Sequence, residues 1–394
     1  MSLRVLIAHN RYRAAGGEDA AFDAEVALLR ERGHEVQTLV EDSSSIREVA
    51  GIPLTGTSVW SESARLRVLE AIDANRPDVA HFHNIHPLFT PSVYDACRER
   101  GIPVVQTLHN YRLICPAATL YRSGKVCELC VGRRLPWPSI VFACYRKSRV
   151  QSAVLTGMLG HHNTRGTWQT KVGGYIALTQ FMRGKLIEGG LPTERIHVKP
   201  NFVHPDPGAK GGDGEFALFV GRLSPEKGIA TLLQAWEQID EKIPLHILGE
   251  GPLSAQVARS AQGSHNIRVL GQQPRHVVLG AMKRARFLVF PSGWYEGFPM
   301  VIAEAFACGV PVLAAGLGSA AEIVGDGRTG RHFTPDDPQD LADKARWAWD
   351  HPQECQVMGR TARLEYEGQY TAQSNYLRLL DIYQTVIDAR SGGG

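Results

Sequence analysis

Residues 290–313 read FPSGWYEGFPMVIAEAFACGVPVL, and this stretch decides the fold. The apolar run at residues 287–290 has the length and composition of a buried parallel strand. Residues 291–299 carry Pro, Ser and Gly at positions that forbid regular structure, so they read as a loop. Residues 300–308 have helical character. Gly309 stands where a helix C-cap glycine belongs, and Pro311 enforces the stop. Residues 312–315 return as a strand. The unit is strand, loop, helix, strand, with Glu296 in the loop and Glu304 one turn into the helix. A helix N-terminus at the C-terminal end of a parallel strand is a natural anion site.

Working outward, the same alternation fills the chain. Apolar strands are expected at residues 4–8, 35–40, 79–82 and 103–108, with helices between them at 19–32, 66–74 and 92–100. Further elements are a helix at 151–160, a strand at 175–177 and a helix at 181–188. Residues 199–214, KPNFVHPDPGAKGGDG, have the Pro, Gly and Asp content of a linker. Strands then recur at 216–220, 245–248 and 267–270, separated by helices at 229–237, 253–260 and 277–285. This predicts two domains of one kind, each a doubly wound parallel α/β sheet, facing one another across a cleft. The expected boundaries are 1–200 and 201–374, with a last helix at 375–389. The SGGG terminus is expected to be disordered.

Composition is consistent with this. A chain of 394 residues is too long for one core. Its 43% hydrophobic and 21% charged content is that of a globular protein. A net charge of +3 is too small to imply nucleic acid. Locally, residues 120–190 hold 11 Lys and Arg against 2 acids, an excess of +9. That stretch either faces phosphates or an anionic membrane, or is a solvated basic surface. No apolar run reaches the ~20 residues of a membrane span. MSLRVLIAHN reads as a first strand, which points to a cytoplasmic protein with a possible peripheral membrane contact. Seven cysteines, an odd number, suit reduced thiols.

Three strand-to-helix loops are suited to a phosphorylated ligand. Residues 14–19, AAGGED, place Gly16 and Gly17 at a helix start, where amides favour an anion. An ordinary tight turn reads the same way. Residues 221–228, GRLSPEKG, supply Arg222 and Lys227, a guanidinium and an ammonium to match a diphosphate. The third loop is the opening stretch. There Glu304 suits either the helix dipole or two ribose hydroxyls.

GRLSPEKG together with EGFPMVIAEAFACGVPVL resembles the donor-binding half of retaining glycosyltransferases of family 4, which have the GT-B fold. Glu296 and Glu304, with seven residues between them, match the family's E-x7-E motif. AAGGED and QTLHN fit the first half, and the resemblance runs from about Arg4 to Tyr383. It implies transfer of a hexose-type sugar from a nucleotide-diphosphate sugar, commonly UDP-linked, with retention and without a catalytic metal. The acceptor would be a glycan, a lipid-linked molecule or a small molecule, in polysaccharide biosynthesis. Gly16 and Gly17 would approach the donor diphosphate, and Arg222 and Lys227 would hold it as it leaves. Glu304 would bind the ribose. Glu296 and the backbone of Gly297, Phe298, Pro299 and Met300 would hold the donor sugar. His109 would sit beside sugar and acceptor, with His83 and His86 as further candidates, although a strand-end histidine is as readily structural. The last helix would pack back on the first domain. The chain has no Asp-x-Asp, in keeping with cations replacing a metal.

Residues 111–149 depart from the simplest family pattern. Cys115, Cys127, Cys130 and Cys144 lie there, with a Cys-x-x-Cys at 127–130. They read as a structural zinc site, as packed reduced thiols, or as a redox pair. Other functions stay open: a sugar-nucleotide epimerase of the same architecture, or a non-catalytic sugar-nucleotide binding protein. Hydride transfer fails for want of a full glycine fingerprint with its ribose-binding acid.

Overall fold

This computed structural model describes residues 2–11, 16–42, 59–239 and 243–391. Ala14 and Ala15 of the glycine loop and the terminal Gly392–Gly394 lie outside the described residues. The chain divides into two compact units. The first comprises Met1–Leu120, Cys127–Asn201 and Asn375–Gly394. The second comprises Tyr121–Val126 and Phe202–Ser374. A six-residue piece of the cysteine segment therefore groups with the second unit, although a linear boundary near residue 200 assigns it to the first.

The strands in chain order are β1 (Arg4–Arg11), β2 (Glu35–Asp42), β3 (Val79–Phe82), β4 (Val104–Thr107), β5 (Tyr121–Arg122), β6 (Lys125–Val126), β7 (Gly174–Ala177), β8 (Ile196–Val198), β9 (Phe216–Val220), β10 (Leu245–Leu248), β11 (Ile267–Gly271), β12 (Ala285–Phe290), β13 (Val312–Ala315) and β14 (Gly330–Phe333). The first unit orders its sheet β2-β1-β3-β4-β7-β8, and the second β11-β10-β9-β12-β13-β14. Every pairing in these two sheets is parallel. Numbered within its own unit, the second sheet runs 3-2-1-4-5-6, the dinucleotide-fold order. The small pair β5-β6 is antiparallel.

Central strands are buried on both faces, so they carry unbroken apolar runs rather than alternation. All of β3, β4, β7 and β13 are buried. The helix Gly17–Glu31 lays Phe22, Val26 and Leu29 on the first core, as their spacing requires. The last helix, Ala372–Ser391, adds Leu379, Ile382, Tyr383 and Val386 to that same core. Each such side chain contributes about 2 kcal/mol by burial, so this helix is integral to the first unit. In the second unit, the helix Met300–Ala307 closes at Gly309, whose φ of +69° suits glycine. Among the described residues, no helix is long and apolar enough to cross a membrane.

Candidate active site

In the second unit, β9 and β12 are neighbours at the point where strand order reverses, so the loops after them leave the same edge side by side. That is where open α/β sheets bind ligands. The two loops are residues 221–228 and 291–299, and they are stitched together. Gly293 N–H donates to Glu226 O at 3.0 Å. Gly228 has a φ of +70°, and a Cβ there would lie 1.8 Å from Pro291 O, so only glycine allows the approach.

Across this seam Lys227 Nζ donates to Glu296 Oε1 at 2.5 Å, and Ser292 Oγ donates to the same oxygen at 2.9 Å. The Glu296 side chain is 11% exposed and that of Lys227 24%. Lys227 Nζ also stands 5.7 Å from the centroid of the Trp294 ring. Trp294 Nε1 is buried with no hydrogen-bond partner among the described residues, an orphan donor that costs free energy until something accepts from it. Arg222 is exposed at the start of its loop.

Glu304 sits in the second turn of Met300–Ala307, beyond the reach of the helix dipole. Arg275 Nε donates to its Oε1 at 3.1 Å. Burial nonetheless pushes the Glu304 carboxyl above its ordinary value, with Arg275 opposing. Gly297, Phe298, Pro299 and Met300 run directly into this helix, with Pro299 as its N-cap. Pro299 has no N–H, so of these residues only Gly297, Phe298 and Met300 can offer a backbone donor. Ser292, Trp294 and Arg275 were not singled out by sequence. Ser292 lies one short loop before Glu296 and was within reach of local reading, whereas Arg275 is 29 residues from Glu304 with no local signal.

In the first unit, Gly16 and Gly17 begin the helix after β1. Gly16 N–H donates to Asp19 Oδ2 at 2.9 Å, and Asp19 Oδ1 lies 2.8 Å from His9 Nε2. Gly16 has an extended φ of −133°, and a Cβ at Gly16 or Gly17 would meet nothing within 4 Å among the described residues. The chain's own conformation therefore does not demand either glycine. His109, after β4, lines a pocket of about 30 Å³ with His86, Asn110 and Arg112, room for one or two waters. His109 Nε2 lies 3.0 Å from His83 Nδ1, and burial drives its basicity well down. His83 Nε2 lies 3.2 Å from Glu25 Oε1, and Lys199 Nζ donates to Glu25 Oε2 at 2.6 Å. Glu25, His81 and His83 form the one group of three metal-type donors within 4.8 Å of one another among the described residues, and Lys199 supplies the cation there.

The four insert cysteines are free thiols, with Cys115 and Cys130 buried. Burial pushes the Cys130 thiol up to about 12, with Cys115, Cys144 and Cys127 adding to the effect from nearby. No three of their sulphurs lie within 4.8 Å of one another. Cys97 is buried in a helix, while Cys308 and Cys355 belong to the cores of the second unit.

Residues 203–365 match the family described as glycosyl transferases group 1, and residues 25–207 match glycosyltransferase family 4. An uncharacterized glycosyltransferase of Methanocaldococcus jannaschii is 30% identical over 215 residues, 54% of this chain and 60% of the relative. A phosphatidyl-myo-inositol mannosyltransferase of Mycobacterium tuberculosis is 29% identical over 212 residues, 51% of this chain and 54% of the relative. The chain thus spans a little over half the length of these curated relatives. The crystal structure of Anabaena HepE in complex with UDP superposes with a TM-score of 0.67 at 17% identity, covering 99% of this chain and 100% of that one. Two family descriptions that together run from residue 25 to 365, over two six-stranded parallel sheets, place the chain among the family-4-type glycosyltransferases of the GT-B fold.

Proposed function

We propose that the chain transfers a hexose-type sugar from a nucleotide-diphosphate sugar to an acceptor, with retention of anomeric configuration and no catalytic metal. One observation carries this: the strand reversal at β9 and β12 brings Arg222, Lys227 and Glu296 onto two stitched loops at one sheet edge. Departure of the sugar leaves negative charge on the diphosphate. Lys227 and Arg222 meet that charge, each well-placed cation lowering the barrier by roughly 3 kcal/mol. Lys227 exchanges its Glu296 partner for the diphosphate, and Glu296, still held by Ser292, turns to the sugar hydroxyls. Trp294 Nε1 and the amides of Gly297, Phe298 and Met300 are available to donate to the donor. The desolvated carboxylate of Glu304 suits a ribose diol, whose two hydroxyls offer it the hydrogen bonds that burial denies it. The open backbone at Gly16 and Gly17 leaves room for an anionic oxygen of substrate.

UDP as the donor nucleotide has support from the UDP complex of the HepE neighbour. The acceptor is a glycan, a lipid-linked molecule or a small molecule, and the first unit is its proposed seat. The test is nucleotide release from a panel of nucleotide sugars, with and without acceptors. Acceptor-dependent release that disappears in Lys227→Ala supports the reading. Conversion of the nucleotide sugar into its epimer, with no acceptor and no net nucleotide release, refutes it.

A further inference from the structure

Behind His109 the first unit buries an ion pair, Glu25 with Lys199, and two imidazoles, His81 and His83. Glu25 is 3% exposed and Lys199 1%, and their head groups meet at 2.6 Å. Burying two charges is costly unless each is paired and hydrogen-bonded. Here the remaining bonds are made. Asn375 Oδ1 lies 3.4 Å from Lys199 Nζ, and the other Glu25 oxygen faces His83 Nε2 at 3.2 Å and His81 Nδ1 at 3.2 Å. His81 is completed by Thr107 and Tyr383.

The directions of these bonds are constrained. Burial opposes ionisation of Glu25, but Lys199, His81 and His83 outweigh it and hold the carboxyl well below its ordinary range. An ionised carboxylate only accepts, so His83 Nε2 carries the hydrogen that faces it. Burial lowers His83 to about 4, which leaves it neutral near pH 7 and its Nδ1 bare. A bare Nδ1 only accepts. His109 Nε2, 3.0 Å away, is therefore the donor, and the two ring planes lie within 25° of each other with centroids 5.2 Å apart, as suits a bond in the ring planes.

We propose that Glu25, paired with Lys199, acts through His83 to hold His109 as its Nε2–H tautomer, so that His109 offers its ligand a bare Nδ1 and accepts a hydrogen from a hydroxyl. The chemical class follows. A neutral nitrogen with a lone pair takes an alcohol O–H, as on a sugar, and repels a phosphate or carboxylate oxygen. Glu25 and His83 are positioning residues; His109 touches the ligand. The tautomer rests on the hydrogen-bond geometry together with a neutral His83 and an ionised Glu25, whereas its use in turnover rests on the proposed glycosyl transfer.

The test is nitrogen NMR of ¹⁵N-histidine-labelled full-length protein at pH 7.5, with His109 assigned by its loss in His109→Gln. The expected spectrum has a protonated Nε2 and a bare Nδ1 for His109. His83→Phe should release His109 into a mixture of tautomers. His83→Gln, which can accept from His109 and donate to Glu25, should restore the single form. The kcat/KM for acceptor-dependent transfer should fall about tenfold in His83→Phe, the worth of one such hydrogen bond, and recover in His83→Gln. A wild-type His109 protonated at Nδ1, or at both nitrogens, overturns the proposal even if neither His83 variant folds. So does a His83→Phe protein whose His109 tautomer or kcat/KM is unchanged. The expected tautomer in a protein that transfers no sugar would refute the glycosyl-transfer reading and leave the tautomer assignment standing.

Discussion

Lowering the pH from 7.5 to 5 should selectively weaken the first unit. His83 and His162 are each 2% exposed, and burial brings both down to about 4 from an ordinary value near 6.5. In His162, Nδ1 faces the Thr167 hydroxyl at 3.0 Å and Nε2 the Val59 carbonyl at 3.1 Å, so a neutral ring satisfies both. The unfolded chain protonates these rings near pH 6.5, and the folded chain only near pH 4. Between those values the unfolded state binds more protons, so stability rises with pH and is lost as pH falls. Two and a half pH units are worth about 3 kcal/mol per histidine, of which about 2 kcal/mol is gone by pH 5. The pair together lose about 4 kcal/mol. For a unit of about 200 residues this lowers the melting midpoint by roughly 10 °C. His9, His86 and His109, also lowered by burial, act in the same direction. The assay is thermal unfolding by circular dichroism at both pH values, with His162→Phe alongside. The variant should show a shallower pH slope. A first transition that stays put or rises at pH 5 would refute the reasoning.

Other outcomes concern the sites. Lys227→Ala and Arg222→Ala should each lower kcat by about 10²–10³, and near-normal turnover in both would remove them from the leaving-group role. Glu304→Ala should raise donor KM with a smaller effect on kcat, since the ribose does not react; an equal loss in both would point instead to a contact made only in the transition state. A structural zinc is proposed on Cys115, Cys127, Cys130 and Cys144, which would have to draw their sulphurs together. Metal analysis of unchelated protein should find about one zinc per chain in the usual four-thiolate arrangement, and a value far below that rejects it. A peripheral membrane contact is proposed for the basic insert. Flotation with anionic vesicles at low salt should depend on Arg133, Arg134, Arg146 and Lys147, and absence of flotation ends that idea.

Much of the fold was legible because its signals are local. Apolar runs, the Gly and Pro at junctions, and the stop at Gly309 each lie within a dozen residues. Four strands were not anticipated: β5 and β6, of two residues each, and the edge strands β8 and β14, three and four residues long, whose positions His197, Arg331 and His332 are only half-buried. Edge strands of that kind carry no periodicity to read. The glycine loop, GRLSPEKG and the E-x7-E stretch were likewise readable as strand-end loops, and so were Arg222, Lys227, Glu296 and Glu304 as candidates.

The sequence by itself determined that two strand-and-helix halves exist, which loops end their strands, and which charged residues those loops carry. These depend on short-range sterics and on periodic burial. Only the tertiary structure decided which loops meet. The reversal of strand order put β9 beside β12, and so joined Lys227 to Glu296 across 69 residues. The separate packing of the first unit joined Glu25 to Lys199 across 174 residues, and through His83 set the hydrogen-bond direction at His109. No local pattern encodes such pairs, because each forms only when the sheet has chosen its neighbours and burial has removed the water that would otherwise satisfy them.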